Sequence, residues 1–221
     1  MRLTSKSAPA FNLTRCTDYF ENVWKCVCPR LTFNIPEWIP NLLAPKYEFE
    51  TTPPTYAQIT SIVRKMKSKG SACPLDQLSI IPFKKSAYLR SYLTEIINEV
   101  WKSGRIPIIW KRAITILIHK KDSTDDPGNF RPITLESVPL KIFTSAMRNR
   151  MYEFLLKNKY VESSVQKGFT PGMTGTFQHR AQLAHLIRQA KKQQRSLIVT
   201  LLDLKNAFGE VHHRLISTAL R

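Results

Sequence analysis

Acidic residues are scarce in this chain: 16 Asp and Glu stand against 34 Lys and Arg, a formal charge of +18 over 221 residues with a pI near 10.0. Such an excess repels itself unless a polyanion offsets it, so nucleic acid is the first partner class expected and an anionic membrane surface the second. A ribosomal or chromatin protein shares that excess, so charge alone names a partner class and no activity. Long apolar runs are missing too. No stretch approaches the ~18 residues of a membrane span, and the opening MRLTSKSAPAF lacks the continuous apolar core of a secretory signal. The expectation is an intracellular protein with no membrane partner. Cysteine is rare and confined to the first third, at Cys16, Cys26, Cys28 and Cys73. The Cys26-Val-Cys28 spacing is tighter than a C-x2-C knuckle and no histidine stands near, which favours free thiols in a reducing compartment over a zinc site.

What is present fits a folded chain, 43% hydrophobic and 23% charged, long enough for one ordinary core or two small ones. Residues 1–54 read as a partly ordered extension. Asp18, Phe20, Val23 and Trp24 suit a short helix, but Pro29, Pro36, Pro40, Pro45, Pro53 and Pro54 break any long element after it, and Phe33 and Trp38 are expected to pack on the domain behind. Pro54-Thr55 opens a helix with Ile59, Ile62, Val63 and Met66 on one face and Gly70 near its end. A second helix is predicted over 86–103 with Gly104 as its stop, a third over 139–157, and a fourth over 176–195 that buries Phe177, Ala181, Ala184, Ile187 and Ala190. Between the second and third helices the pattern turns to strands, at 113–118 and 130–135. The turn formers DSTDDPGN join them into a hairpin with Lys120 and Lys121 near its tip and Arg131 on the returning strand. From Lys102 to Lys121 there are six basic residues and no acid. Lysines at a strand edge routinely guard against aggregation, whereas Arg and Lys together also suit a clamp on phosphate oxygens.

Leu197 to Leu202 is a short uncharged run rich in Val, Ile and Thr, the pattern of a strand buried on both faces, and it ends on Asp203. A carboxylate there needs a cationic partner, for which a divalent metal is the strongest candidate; the alternative is an N-cap for the helical spacing that follows from Lys205.

The string Asp203-Leu-Lys-Asn-Ala-Phe208, continuing GEVHHRLI, resembles the first catalytic-aspartate motif of reverse transcriptases in the form carried by non-LTR (LINE-type) retrotransposons. Three further stretches carry the same resemblance in the same order. Lys67 to Ile80 is similar to the family's lysine-rich Pro-Asp element, although Ala72-Cys73-Pro74-Leu75-Asp76 replaces its central Pro-Gly, and Asp76 reads as a turn or cap residue. Gly104 to Lys121 with Phe130 to Leu135 looks like the fingers pattern, and Gln166-Lys-Gly168-Phe169-Thr-Pro-Gly172 looks like the Q-x-G-F-x-P-G element, which as an isolated stretch would read as a plain Gly-Pro loop.

The resemblance implies an α+β fold: right-hand polymerase fingers, made of helices and a basic hairpin, over 55–195 and the first strand and helix of a palm over 196–221, after the extension 1–54. It further implies that Asp203 and the carbonyl of Leu204 bind catalytic Mg2+, and that Lys120 and Arg131, with Lys121 in support, meet the triphosphate of a dNTP. Phe208 would sit under the sugar, where its ring excludes a ribose hydroxyl, and Gln166, Gly168 and Phe169 would lie beside the template or the nucleotide pocket. The implied function is RNA-directed DNA polymerisation by two-metal nucleotidyl transfer on an RNA template and a DNA primer, in a ribonucleoprotein of nucleus and cytoplasm. The family's second carboxylate motif, Tyr-Ala-Asp-Asp, does not occur between Asp203 and Arg221. By the resemblance this chain is expected to need a downstream half of the polymerase polypeptide and to be inactive alone. The competing reading is a non-catalytic basic RNA-binding remnant of a degenerate retroelement.

Overall fold

The computed structural model describes residues 8–24, 43–68, 73–162, 167–168, 170, 172, 175–203, 211 and 213–219. It is a mixed α and β structure in which the helices outnumber one small antiparallel sheet. The chain forms two compact units, one from residues 1–25 and 48–154, the other from 26–47 and 155–221.

The first unit is built on helices α2 (Tyr56–Lys65), α3 (Ile81–Lys85), α4 (Ala87–Ser103) and α5 (Val138–Lys157, as far as Phe154). Local chemistry sets their ends. Thr55 and Gln58 form a reciprocal capping box, with Gln58 N donating to Thr55 Oγ1 at 3.3 Å and Thr55 N donating to Gln58 Oε1 at 2.9 Å. Ser86 Oγ accepts from Leu89 N at 3.2 Å to start α4, and Gly104, at φ 66° and ψ 5°, ends it in the left-handed conformation that glycine adopts without a Cβ clash. α2 stops at Lys65, short of Gly70, where Met66 turns extended at φ −65° and ψ 143°; Lys84 Nζ donates to Met66 O and, at 3.0 Å, to Ser68 Oγ. The predicted apolar faces meet as one core, in which Ile59 and Val63 of α2, Ile97 of α4 and Ile142 of α5 are fully buried and Trp110 closes one side.

Arg150 is the one buried cation of α5 among the described residues. It lies 3.2 Å from a Glu50 carboxylate oxygen, donates to Gln58 Oε1 at 3.4 Å, and packs 5.9 Å from the centroid of the Trp101 ring, whose Nε1 donates to Thr51 O at 2.8 Å. One arginine therefore ties the chain entering α2 to both α4 and α5.

The sheet is a hairpin of β1 (Ile114–His119) and β2 (Phe130–Leu135), paired from Ile114 with Leu135 to His119 with Phe130. Upstream, α1 (Leu13–Trp24) lies in the same unit and packs on the 3-10 turn Pro127–Asn129 that leads into β2. Phe33 and Trp38 lie outside the described residues; in this segment Phe11 packs on Phe130 and Tyr19 on Phe20.

In the second unit Asn158 and Tyr47 exchange two hydrogen bonds, at 2.9 and 3.0 Å, and Tyr160 donates to Leu43 O at 2.6 Å. Helix α6 spans Thr176–Lys192 and α7 His213–Ala219. Two expectations are corrected here. α6 forms, but Phe177, Ala181, Ala184 and Ile187 are exposed and only Ala190 is half-buried. Residues 197–202 form no strand and lie open to solvent, Ile198 at 91%, Leu201 at 85% and Leu202 at 92%. The reasons differ. Helical hydrogen bonds close within the segment, so α6 keeps its backbone paired with that face open, whereas a strand exists only by pairing with another and none of the described residues pairs with this one.

Candidate functional site

The basic hairpin of the first unit is the best-defined candidate. Side chains alternate along each strand, so the register puts Ile114, Ile116 and Ile118 of β1 on one face with Arg131, Ile133 and Leu135 of β2, while Thr115, Leu117 and His119 share the other with Phe130, Pro132 and Thr134. The second face is closed where Phe130 is 2% exposed, with its ring 5.0 Å from His119 and 5.2 Å, edge to face, from Phe11. The first face is open: Ile116, Ile118 and Ile133 are all exposed, and so is Arg131.

Lys120 continues β1 by one residue, its amide donating to Asn129 O at 2.8 Å, and alternation aligns it with Ile118 and hence with Arg131. Its ammonium reaches Gly128 O at 3.3 Å. Lys121 points elsewhere, 81% exposed and 3.9 Å from Asp122, a separation at which an exposed pair contributes little. Beyond the lysines the loop is held by its own polar groups. Gly128 N donates to Asp126 Oδ1 at 2.8 Å, Ser123 Oγ to Asp125 Oδ2 at 2.9 Å, and Asn129 Nδ2 to Ser123 O at 2.9 Å, while Asp122 turns the chain at φ 65°. Asp125 and Asp126, the adjacent carboxylates, are thus occupied in shaping the turn. The result is two cations on one open, otherwise apolar face, an arrangement suited to an anion that also carries a flat apolar part.

A second sequence element reaches the hairpin from behind. Cys73 is 1% exposed and its Sγ donates to Leu135 O at 3.3 Å, which fixes the end of β2. Asp76 is a turn residue, as its position suggested: Asp76 Oδ1 accepts from Leu78 N at 3.0 Å, and Gln77, at φ 52°, takes the left-handed conformation in a turn without glycine.

In the second unit Asp203 is exposed after residues 197–202, and Gly168 lies in an exposed turn. Leu204, Phe208, Gln166 and Phe169 lie outside the described residues. Among the described residues no three of His, Cys, Asp or Glu cluster as a metal site, and no helix is long and apolar enough to cross a membrane. A cleft of about 60 Å3 beside Arg150, lined by Pro54, Gln58, Ile62 and Glu153 among others, is far below the ~300 Å3 of a small-molecule site, so it offers no rival to the hairpin.

Residues 118–221 match the family described as reverse transcriptase (RNA-dependent DNA polymerase). The relatives narrow the class. The chain is 31% identical over 129 residues to a Pol polyprotein from the type-1 retrotransposable element R2 of Nasonia vitripennis, covering 58% of this chain and 12% of that protein. It is 25% identical over 213 residues to a 149 kDa protein of transposon TX1 from Xenopus laevis, covering 94% of this chain and 16% of the other. It is also 27% identical over 123 residues to a probable RNA-directed DNA polymerase from transposon BS of Drosophila melanogaster, covering 55% and 13%. These matches support a reverse transcriptase of a non-LTR retrotransposon as the class that residues 118–221 resemble. It spans less than a fifth of the length of each of these relatives.

Proposed function

We propose that this chain is the fingers and the beginning of the palm of an RNA-directed DNA polymerase, with fingers over 55–195 and palm from 196. Its substrates would be a dNTP, a DNA primer and an RNA template. The observation that carries the reading is the shared open face of Lys120 and Arg131 on a hairpin whose sequence runs into the family match. Arg131 offers a planar fork to two phosphate oxygens and Lys120 a mobile point charge beside it, so the pair would orient a triphosphate and neutralise charge as the pyrophosphate leaves. The exposed isoleucines between and beside them give a flat surface for the non-phosphate part of the ligand.

Asp203, with the carbonyl of Leu204, would hold Mg2+; both are hard oxygen donors of the kind this ion takes, and a bound divalent ion supplies acidity to a primer hydroxyl and charge neutralisation to phosphate. One carboxylate is too little for two such ions, so the second would come from downstream polymerase sequence. Phe208 would fill the volume of a ribose 2'-hydroxyl and favour deoxyribonucleotides, while Gln166, Gly168 and Phe169 would lie beside the template. A nuclear and cytoplasmic ribonucleoprotein is the setting this activity calls for.

The test is primer extension on an RNA template by this chain joined in frame to the corresponding downstream sequence of an R2 relative. Product is expected with dNTPs and Mg2+ and is expected to vanish in Asp203→Ala. Extension that survives Asp203→Ala, or none from a well-folded fusion, would refute the assignment.

A further inference from the structure

The cations of the hairpin lie on its open face, yet the hairpin's loop, besides its own polar groups, is braced from the segment before the first proline-rich stretch. Three contacts join them. Ala10 N donates to Thr124 O at 3.1 Å, inside the loop that links β1 to β2. Phe11 meets Phe130 edge to face at 5.2 Å, on the covered side of the residue that precedes Arg131. Tyr19 of α1 presses on Gly128 so closely that a Cβ placed there would come within 3.0 Å of its hydroxyl oxygen. Gly128 is also the residue whose carbonyl receives the Lys120 ammonium, at 3.3 Å. Each cation is thus one residue or one hydrogen bond away from a contact with residues 8–24. Tyr19 seats Gly128, and Gly128 seats Lys120; Phe11 seats Phe130, and Phe130 sets the strand that presents Arg131.

We propose that residues 8–24, through Phe11 and Tyr19, are a positioning element that holds Lys120 and Arg131 in phosphate-binding geometry. The element touches no ligand itself. It acts from the closed side of a two-stranded sheet, which alone would be marginally stable and would sample other loop arrangements. Ordering the loop beforehand removes that entropy from the binding step, so loss of the brace should appear as weaker anion binding. The proposal rests on the phosphate role of Lys120 and Arg131 given above, and the experiment separates failure of one from failure of the other.

The probe is inorganic tripolyphosphate, titrated into the full chain by calorimetry, with hydrogen exchange of residues 120–131 and melting temperature recorded on the same samples. Phe11→Ala and Tyr19→Ala are each expected to weaken binding about threefold to tenfold, the range an aromatic contact commands, with faster exchange at the Lys120 amide and little change in melting temperature. Phe11→Tyr should restore affinity, because it keeps the ring. Gly128→Ala approaches the same contact from the hairpin side, where its Cβ would meet the Tyr19 hydroxyl at 3.0 Å, and should lower affinity with every residue of the 8–24 segment kept, which keeps the proposal testable if Phe11→Ala unfolds the chain. If wild-type chain and a Lys120→Ala, Arg131→Ala double variant bind tripolyphosphate equally, the phosphate reading falls and this proposal with it. If the double variant loses binding while Phe11→Ala, Tyr19→Ala and Gly128→Ala bind like wild type, the positioning role alone is overturned.

Discussion

Arg131 stands directly opposite Ile118 in the hairpin register, and Lys120 follows Ile118 by one full alternation, so the two cations lie diagonally across one face. Diagonal neighbours on paired strands are ~7–8 Å apart at the backbone, a separation that long side chains close readily on one triphosphate.

From that geometry, Lys120→Ala and Arg131→Ala should each weaken dNTP or tripolyphosphate binding roughly tenfold or more, as expected for loss of a charge-assisted hydrogen bond. Lys121→Ala should cost less than about threefold, since Lys121 is directed to solvent beside Asp122. Calorimetric titration of the three variants checks the ranking; a Lys121 effect as large as that of Lys120 would contradict the assigned face.

Nucleic-acid binding by the chain should be dominated by phosphate contacts, because the basic residues come in acid-free blocks, six between Lys102 and Lys121 and six between Ser163 and Leu202. The affinity for single-stranded RNA, measured by fluorescence anisotropy, is expected to fall at least ~100-fold between roughly 50 and roughly 200 mM salt. A flat salt dependence would sink the electrostatic account.

Arg150→Met should destabilise the first unit by roughly 1–3 kcal/mol, because it removes the charge-assisted hydrogen bonds that the buried guanidinium donates to Gln58 and Glu50. Glu50→Gln should cost less, its side chain being 56% exposed against 8% for Arg150. Denaturant unfolding monitored by tryptophan fluorescence is the measurement, and equal losses in the two variants would show that the ion pair, rather than burial of the arginine, sets the cost.

Gly104→Ala isolates a backbone effect. A Cβ at this position meets nothing within 4 Å, so the expected loss of about 1 kcal/mol comes from the left-handed conformation alone. The unfolding midpoint should fall with an unchanged denaturant slope, and Gly104→Asn should lie between the two.

The helices and the hairpin were legible because their signals are local. Thr55 with Gln58, Ser86 with Leu89, and Gly104 after Ser103 mark boundaries that depend on a few neighbouring residues, and the structure keeps them. The facing of Lys120 and Arg131 was not legible, since a loop over residues 120–129 does not set which residue of β1 meets which of β2, and a slip of one would reverse the faces. The brace was equally hidden: nothing periodic in the sequence links Phe11 to Phe130 or Tyr19 to Gly128, because such contacts are fixed only when distant segments fold together. The predicted strand before Asp203 failed for the converse reason. Its composition reports a preference for burial, and burial depends on partners that composition cannot name.

The hydrogen bond from Cys73 to the last carbonyl of β2 turns a core thiol into a clock. Cys73 is 1% exposed while that bond stands, and an opening that parts Cys73 from the end of β2 is expected to bare the thiol for as long as it lasts. With Cys16, Cys26 and Cys28 replaced by serine, the rate at which a maleimide captures Cys73 would count those openings directly, and a ligand that steadies the hairpin would be seen as a slowing of the count.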